Sequence, residues 1–334
     1  MSYKISKDNS HILSKSSITL KIIKIPEFSG LMALVLLFLI FTFVNRFFIS
    51  WSNINIILTS ASYSGIIVIG MCLVMISGQF DLSAGGVTGF SAIMSAIFMV
   101  NLSLPVWLSI IIALIISMIL GLINGLLTVK LKIPAIVSTL AMMFILLGAV
   151  TVVTQGGRSI FPLPESINNF SRIKLLGALP WSFFIFVILA VIFDFMLRKT
   201  VLGRKIYAVG ANVNVAKTMG INTDLMRISM YVLLSFLCGL SGILFMISIR
   251  TGSPNIGDGW ILMIVAATVI GGTSIFGGRG TIWGAILGNF VVWVMRSGLT
   301  MIGSRAEWQN VLIGIILISV PIYDYIKQKL KLSD

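Results

Sequence analysis

The sequence predicts an all-α, polytopic integral membrane protein with about ten transmembrane helices. Two observations indicate this class: 57% of the 334 residues are hydrophobic and only 10% are charged, and the mean hydropathy is +1.07. A soluble domain of this length does not need so much apolar surface. A membrane protein does, because each spanning helix presents about 20 apolar residues to lipid.

Ten apolar blocks, separated by polar or glycine-rich turns, make up most of the chain. They cover residues 30–48, 55–77, 84–100, 105–128, 135–155, 180–197, 228–249, 260–276, 281–299 and 307–325. The third block is rich in glycine and serine, which predicts a broken or tightly packed helix. Together the blocks define a transmembrane domain over residues 29–326, between a cytoplasmic N-terminal tail, 1–28, and a cytoplasmic C-terminal tail, 327–334.

The basic residues place both termini in the cytoplasm. The net charge is +14, and lysine and arginine are enriched in the short cytoplasmic loops of membrane proteins. With the N-terminus inside, seventeen of the 24 basic residues fall on the inner side and seven fall elsewhere. Membrane topology therefore explains the charge, which does not indicate nucleic-acid binding.

Tryptophan favours the same topology. Five of the seven tryptophans lie at or just before the start of an even-numbered block: Trp51, Trp107, Trp181, Trp260 and Trp308. Indole rings prefer the level of the lipid headgroups. Because every even-numbered block starts on the outer side in this topology, the five rings would form one outer belt.

Side chains for catalysis or metal binding are scarce in the sequence. Cys72 and Cys238 lie inside apolar blocks, and the single histidine, His11, lies in the polar N-terminal tail. This pattern is not typical of a disulfide framework, a thiolate metal site or a histidine-based active site. The sequence contains no G-x-x-x-x-G-K-[ST] nucleotide-binding loop. If ATP drives this protein, another chain binds the nucleotide.

Few ionisable residues lie within the spans, where each costs about 2.5–3.5 kcal/mol on insertion scales. Asp194 precedes Arg198 by one helical turn, which predicts an ion pair at a helix end. Asp81 lies in the turn between the second and third blocks. It either caps the third span together with Ser83 or has a functional role. The lack of a set of carboxylates at mid-membrane disfavours a proton-coupled carrier.

Neutral polar residues in the spans are the better candidates for a solute pathway. Asn124, Ser138 and Thr139 offer hydrogen bonds to an uncharged, hydroxylated solute, and Met142 and Met143 offer a soft gate. We predict that these five side chains line the route. The alternative is that the polar ones only form hydrogen bonds between helices.

Glycines four residues apart allow helices to approach closely. Such pairs occur at Gly121 and Gly125, and again at Gly284 and Gly288. They predict helix packing, either within one chain or at a dimer interface.

The long inner loop, residues 198–227, contains a short predicted helix. The helix runs from Ala211 to Met219, with Asn212 or Asn214 as its N-cap and Gly220 after its end. A short helix that faces the cytoplasm between two long spans is typical of a docking surface. The alternative is an ordinary basic loop beside the lipid.

Five segments between residues 50 and 325 form a specific set. They are Gly78-Gln79-Phe80-Asp81-Leu82-Ser83-Ala84-Gly85; Gly121-Leu122-Ile123-Asn124-Gly125 with Lys132-Ile133-Pro134; Gly203-Arg204 through Gly210-Ala211-Asn212; Gly220-Ile221-Asn222; and the glycine-rich run 271–280. Together they resemble the membrane permease subunit of bacterial ABC sugar importers of the ribose, xylose and autoinducer-2 type. One departure is Gln79-Phe80, where the family has Gly-Ile.

The resemblance implies a type II ABC importer in the bacterial plasma (inner) membrane. Two permease subunits would pair, as a homodimer or a heterodimer, above two cytoplasmic ATPase subunits that bind ATP and Mg²⁺. A soluble binding protein would deliver a monosaccharide, pentose-like or a related small sugar or polyol, from outside. This chain would be a transport subunit and not an enzyme. The alternative is a stand-alone, ion-coupled secondary sugar carrier.

The resemblance also implies roles for two groups of residues. The ATPase-coupling loop would include Arg204, Asn212, Ala216, Met219, Gly220 and Asn222. The two inner turns would contribute Gly78, Asp81, Ser83, Gly277, Gly278, Arg279 and Gly280.

Overall fold

A computed structural model describes residues 26–167, 174–175, 179–305 and 307–315. Its α-helices are α1 (Pro26–Val44), α2 (Trp51–Ile76), α3 (Ala84–Val100), α4 (Val106–Gly125), α5 (Ala135–Val153), α6 (Trp181–Lys199), α7 (Val201–Ala211), α8 (Val213–Thr218), α9 (Thr223–Ile249), α10 (Trp260–Ile270) and α11 (Ile282–Met301). A 3-10 helix, Arg46–Ile49, follows α1, a π-helical turn, Leu126–Lys130, extends α4, and residues 307–315 are mostly helical. Two short strands, β1 (Lys174–Leu175) and β2 (Leu179–Pro180), pair antiparallel, with Lys174 opposite Pro180.

Each of the first nine apolar blocks overlaps a helix, and residues 307–315 of the tenth are helical; the rest of the tenth block lies outside the described residues. Six helices in the described part of the chain are long and apolar enough to cross a membrane: α2, α4 with its π-helical extension, α5, α6, α9 and α11. The third block forms one continuous helix, α3. The prediction of a span over 260–276 is wrong at its end, because α10 ends at Ile270 and Gly272 turns the backbone with a φ of 83°. With eleven residues α10 is about 16 Å long, roughly half the hydrocarbon thickness.

Helix α2 is the centre of the bundle. All of its residues from Ala61 to Ile76 are buried, and it packs against α6, α9, α10 and α11. In contrast, most residues of α4 and α5 are not buried. An apolar side chain faces lipid as readily as it faces protein, so burial, and not hydropathy, identifies the central helix.

Both glycine pairs pack helices within this chain. A Cβ atom at Gly121 would lie 2.6 Å from the carbonyl oxygen of Tyr231 on α9, and one at Gly125 would lie 3.1 Å from Cα of Ile228. On α11, a Cβ atom at Gly284 or Gly288 would clash with the backbone around α10. These glycines therefore let α4 meet α9 and α11 meet α10 at close range.

Two contacts join helix ends that the predicted topology places on the same side. The segments after α5 and after α9 meet at the Ile160–Gly252 β-bridge. Asn45, just after α1, donates a hydrogen bond to the Met301 carbonyl at the end of α11, 3.1 Å away. Four of the five tryptophans used above lie in the first two positions of α2, α4, α6 and α10, and Trp308 lies in the helical segment 307–315.

Candidate functional site

The candidate site is a junction at one end of the bundle, where two distant turns meet helix α7. The turns are residues 77–83, between α2 and α3, and residues 271–281, between α10 and α11. The amide of Gly278 donates a 2.8 Å hydrogen bond to the carbonyl of Ile76. A Cβ atom at Gly277 would lie 2.8 Å from Cα of Gly78, and one at Gly210 on α7 would clash with Ile76. We call Gly78, Gly210, Gly277 and Gly278 the glycine junction.

Glycine is required at this junction on two grounds. Gly78, Gly277 and Gly278 have φ values of 76°, 89° and 72°, which disfavour any other residue. The close contacts also leave no room for a side chain at Gly210, Gly277 or Gly278. The remaining predicted turn residues lie beside them: Gly280 has a φ of 152°, and Arg279 is exposed.

Two tyrosines that the sequence analysis did not single out brace the junction. The Tyr207 hydroxyl on α7 donates to the Gly280 carbonyl at 2.7 Å. The Tyr231 hydroxyl on α9 donates to the Phe80 carbonyl at 3.0 Å and lies 3.2 Å from Oε1 of Gln79. A tyrosine near the end of an apolar span, opposite a glycine-rich turn, is the signal that could have identified them.

Asp81 is held by a buried hydrogen-bond chain. Its Oδ1 accepts from the Ser83 amide at 2.7 Å and from the Ser83 hydroxyl at 2.6 Å. Asn124 Nδ2 on α4 donates to the Ser83 hydroxyl at 2.8 Å. The predicted cap is wrong for Ser83, whose side chain makes no capping bond to α3 because its hydroxyl donates to Asp81 instead.

Burial dominates the electrostatics of Asp81. Asp81, Ser83 and Asn124, the three residues of this hydrogen-bond network, are all fully buried. Removal of the carboxylate from water raises the pKa of Asp81, and the hydrogen bonds from Ser83 offset only part of this effect. Within the described part of the protein, Oδ2 of Asp81 and Oδ1 of Asn124 are buried without a hydrogen-bond partner.

Two of the five predicted pathway residues, Asn124 and Thr139, form hydrogen bonds to the same turn. Asn124, Ser138, Thr139 and Met142 are buried in the single chain, and Met143 is half-buried. The Thr139 hydroxyl accepts from the Leu82 amide at 3.0 Å. The hydroxyls of Ser138 and Thr128 lie 2.9 Å apart. These polar groups therefore connect α4 and α5 with each other and with the turn before α3.

The short helix predicted in the long inner loop is present as α8. Oδ1 of Asn212 caps it, accepting from the amides of Asn214 at 3.0 Å and Val215 at 3.1 Å. Gly220 follows with a φ of 76°, and Asn222 then caps α9. A Cβ atom at Gly278 would lie 2.9 Å from Cα of Ala211, two residues before α8. Helix α8 therefore begins directly beside the glycine junction.

Helix α8 has one anchored face and one free face. Ala216 is only 1% exposed, so it seats the helix against the bundle. Val215 is 47% exposed and Met219 is 71% exposed, and residues four apart lie on the same side of a helix. Phe276, two residues before Gly278, is 89% exposed. Arg204 on α7 is also exposed. We call these three exposed apolar side chains, Val215, Met219 and Phe276, the apolar docking face.

Asp194 has the structural role that its spacing predicts. Its carboxylate accepts a 2.8 Å hydrogen bond from Nε of Arg198, four residues later. This ion pair lies near the end of α6.

Comparisons with known proteins place this architecture in a family. The family model described as "Branched-chain amino acid transport system / permease component" matches residues 53–321. The Autoinducer 2 import system permease protein LsrC of Escherichia coli (strain K12 / DH10B) is 33% identical over 301 residues, covering 89% of this chain and 86% of the relative. The Probable ABC transporter permease protein YphD of Escherichia coli (strain K12) is 34% identical over 298 residues, covering 88% of each. No solved structure matches the chain.

The matched region contains both inner turns, α7, α8 and every predicted pathway residue. The resemblance drawn from the sequence segments is thereby confirmed, and the comparisons give no support to a stand-alone carrier. The chain therefore belongs to this permease family and is the multi-pass transport subunit of an ABC importer in the bacterial inner membrane.

Proposed function

We propose that this subunit imports a monosaccharide and that a separate cytoplasmic ATPase drives it through α8. ATP and Mg²⁺ would bind to that ATPase, and a soluble sugar-binding protein would deliver the solute from outside. A second permease subunit, identical or different, would complete the pathway. The observation that carries the proposal is the apolar docking face, which is anchored to the two inner turns through the glycine junction.

The junction offers a mechanical route from the ATPase to the spans. Gly210, at the end of α7, contacts Ile76, the last residue before the first turn, and Gly278 in the second turn. Helix α3 begins at Ala84, directly after the first turn, and α10 ends at Ile270, directly before the second. A displacement of α7 and α8 would therefore reach both helices at once, because close-packed backbones transmit movement with little slack.

The proposed solute is a pentose or a related small sugar or polyol. The relative LsrC is named for the import of autoinducer 2, and its similarity covers 89% of this chain. The candidate pathway residues Asn124, Ser138, Thr139, Met142 and Met143 include hydroxyl and amide groups but no charge. Such groups form weak, replaceable hydrogen bonds, which suit passage of an uncharged solute better than tight binding.

The docking role of α8 is tested with matched acidic substitutions. Met219→Asp places a charge on the apolar docking face, whereas Thr218→Asp places the same charge on the adjacent, exposed position of the same helix. We expect Met219→Asp to reduce co-purification of the co-expressed ATPase at least about tenfold, because a desolvated charge costs more than 1.4 kcal/mol. Thr218→Asp should retain most of the ATPase.

Membrane abundance and thermal stability of the permease are measured for both variants. Equal retention of the ATPase by Met219→Asp and wild type would contradict docking through this face. Ala216→Asp is the less informative variant, because Ala216 is buried and a charge there would displace α8 itself.

A further inference from the structure

A basic pocket opens beside the site, at the same end of the bundle as the glycine junction. It has a volume of about 760 Å³ and lies between the α2–α3 turn, the end of α4, the start of α5, α8 and the start of α9. Four cationic side chains line it, Lys130, Lys132, Lys217 and Arg227, against one carboxylate, Asp224. None of these residues belongs to the apolar docking face or to the predicted pathway.

The positive charge of the pocket is largely uncompensated. Asp224 is engaged by Lys130, with 2.9 Å between Oδ2 and Nζ. Within the described ranges, no carboxylate lies within salt-bridge distance of Lys132, Lys217 or Arg227. Three like charges around one cavity repel each other, and a bound anion would relieve that repulsion.

Arg227 provides a second observation. Its Nε is buried and has no hydrogen-bond partner among the described residues. Its Nη2 lies beside Gly78, 3.5 Å from the place where a Cβ atom would stand. A buried donor without a partner is costly, and a guanidinium matches the paired oxygens of a phosphate. The donor thus lacks the kind of acceptor that an anionic ligand would supply.

The rim of the pocket combines charge with apolar surface. Lys132 has a φ of 57°, an uncommon conformation for a residue other than glycine. Its neighbour Leu131 is exposed, and so is Ile136, which lines the cavity. Cationic groups beside exposed aliphatic groups at a membrane boundary are the chemistry that binds anionic lipid headgroups.

We propose that this pocket binds a phosphate group through Lys132, Lys217 and Arg227. The group can be carried by an anionic phospholipid of the inner leaflet or by a small soluble phosphate ester. The mixed rim favours the phospholipid. In either case the ligand would connect α8, the start of α9 and the turn before α3, since Lys217, Arg227 and Gly78 belong to these elements.

The test uses the purified full-length chain in a neutral maltoside detergent without phosphate. Phosphatidylglycerol, phosphatidylcholine, glycerol phosphate and, as an ionic-strength control, sodium chloride are added separately. Binding is measured as the shift in thermal unfolding midpoint and by native mass spectrometry. We expect phosphatidylglycerol to bind more tightly than phosphatidylcholine, and glycerol phosphate to compete with it. If glycerol phosphate alone gives the full shift, the source is soluble.

Matched variants locate the site. Lys132→Gln and Arg227→Gln should each weaken binding about tenfold, the loss of one charge-assisted hydrogen bond. Arg204→Gln removes an exposed charge of the same loop outside the pocket and should have no effect. If Arg227→Gln fails to fold, Lys217→Gln takes its place, because Lys217 is exposed. Equal weakening by Arg204→Gln, a shift from phosphatidylcholine as large as that from phosphatidylglycerol, or no shift from either phosphatidylglycerol or glycerol phosphate would overturn the proposal.

Discussion

The amide of Gly278 donates a 2.8 Å hydrogen bond to the carbonyl of Ile76. The two residues are far apart in sequence, yet this bond joins the turn before α3 to the turn after α10. Helix α7 seats against both turns at the same point, through Gly210. The long inner loop is therefore part of the transmembrane bundle and not a separate appendage.

A methyl group at the junction should disturb both stability and coupling. Gly210→Ala forces Cβ against the Ile76 carbonyl, and we expect a loss of about 1–3 kcal/mol of unfolding free energy. ATP hydrolysis by the assembled complex should then respond less to solute. Gly148→Ala is the matched control, because nothing lies within 4 Å of its added Cβ. If both variants have the same thermal midpoint and the same solute-stimulated ATP hydrolysis, the glycine junction contributes to neither stability nor coupling.

Asp81 should give the stability a specific pH dependence. Because burial raises the pKa of Asp81 above its ordinary value of 3.8, the folded state holds the proton more tightly than the unfolded state does. The contribution of the protonated Asp81 to the free energy of unfolding is therefore complete below the ordinary pKa. It is lost as the pH rises through the raised pKa. We expect Asp81→Asn, which keeps an acceptor for Ser83, to remove this loss.

Thermal midpoints of wild type and Asp81→Asn between about pH 5 and pH 8 provide the measurement. The difference between them should change with pH in favour of Asp81→Asn as the pH rises. Asp258→Asn, at an exposed carboxyl, serves as the control. A constant difference between wild type and Asp81→Asn would show that Asp81 does not titrate in this range.

The pathway prediction is tested by transport. Asn124→Leu, Ser138→Leu and Thr139→Leu should each lower uptake of labelled sugar at least about tenfold at matched abundance, because each removes a hydrogen-bonding group. Thr151→Leu is the control, since Thr151 lies on α5 with an exposed hydroxyl bonded only to its own helix. Thr139→Ser keeps the acceptor for Leu82 and should retain uptake. Wild-type uptake by all three leucine variants would show that these three residues do not line the pathway.

The orientation of the chain is tested with single cysteines. In a background without Cys72 and Cys238, cysteines at Ser166 and at Thr218 occupy exposed positions at predicted outer and inner loops. A membrane-impermeant thiol reagent added to intact cells should label position 166 at least about tenfold more than position 218, because the bilayer excludes the reagent. Labelling restricted to position 218 would reverse the topology.

Much of the fold could be predicted from the sequence because lipid imposes a length and a polarity on every span. Many helix limits, the cap at Asn212 and the end of α8 before Gly220 follow from local chemistry. The central place of α2 does not, because lipid and protein interior favour the same apolar residues. The short length of α10 was missed because the apolar run continues through Gly271 and Gly272, where the backbone turns.

The site was predicted only in pieces. Asp81 and Ser83 were candidates from one motif and Asn124 from another, but the hydrogen bond from Asn124 to Ser83 joins residues 41 positions apart and depends on how α4 packs. The braces from Tyr207 and Tyr231 depend on tertiary contacts in the same way. Neither one-dimensional periodicity nor motif spacing contains that information.

The central claim is that this permease moves solute only when a separate ATPase hydrolyses ATP. Proteoliposomes that contain the permease, its ATPase subunits and the soluble binding protein are supplied with labelled pentoses, with and without ATP. A parallel set contains the permease alone under a proton or sodium gradient. The account predicts uptake only in the complete system with ATP, and loss of that uptake with Met219→Asp. Gradient-driven uptake by the permease alone would contradict it.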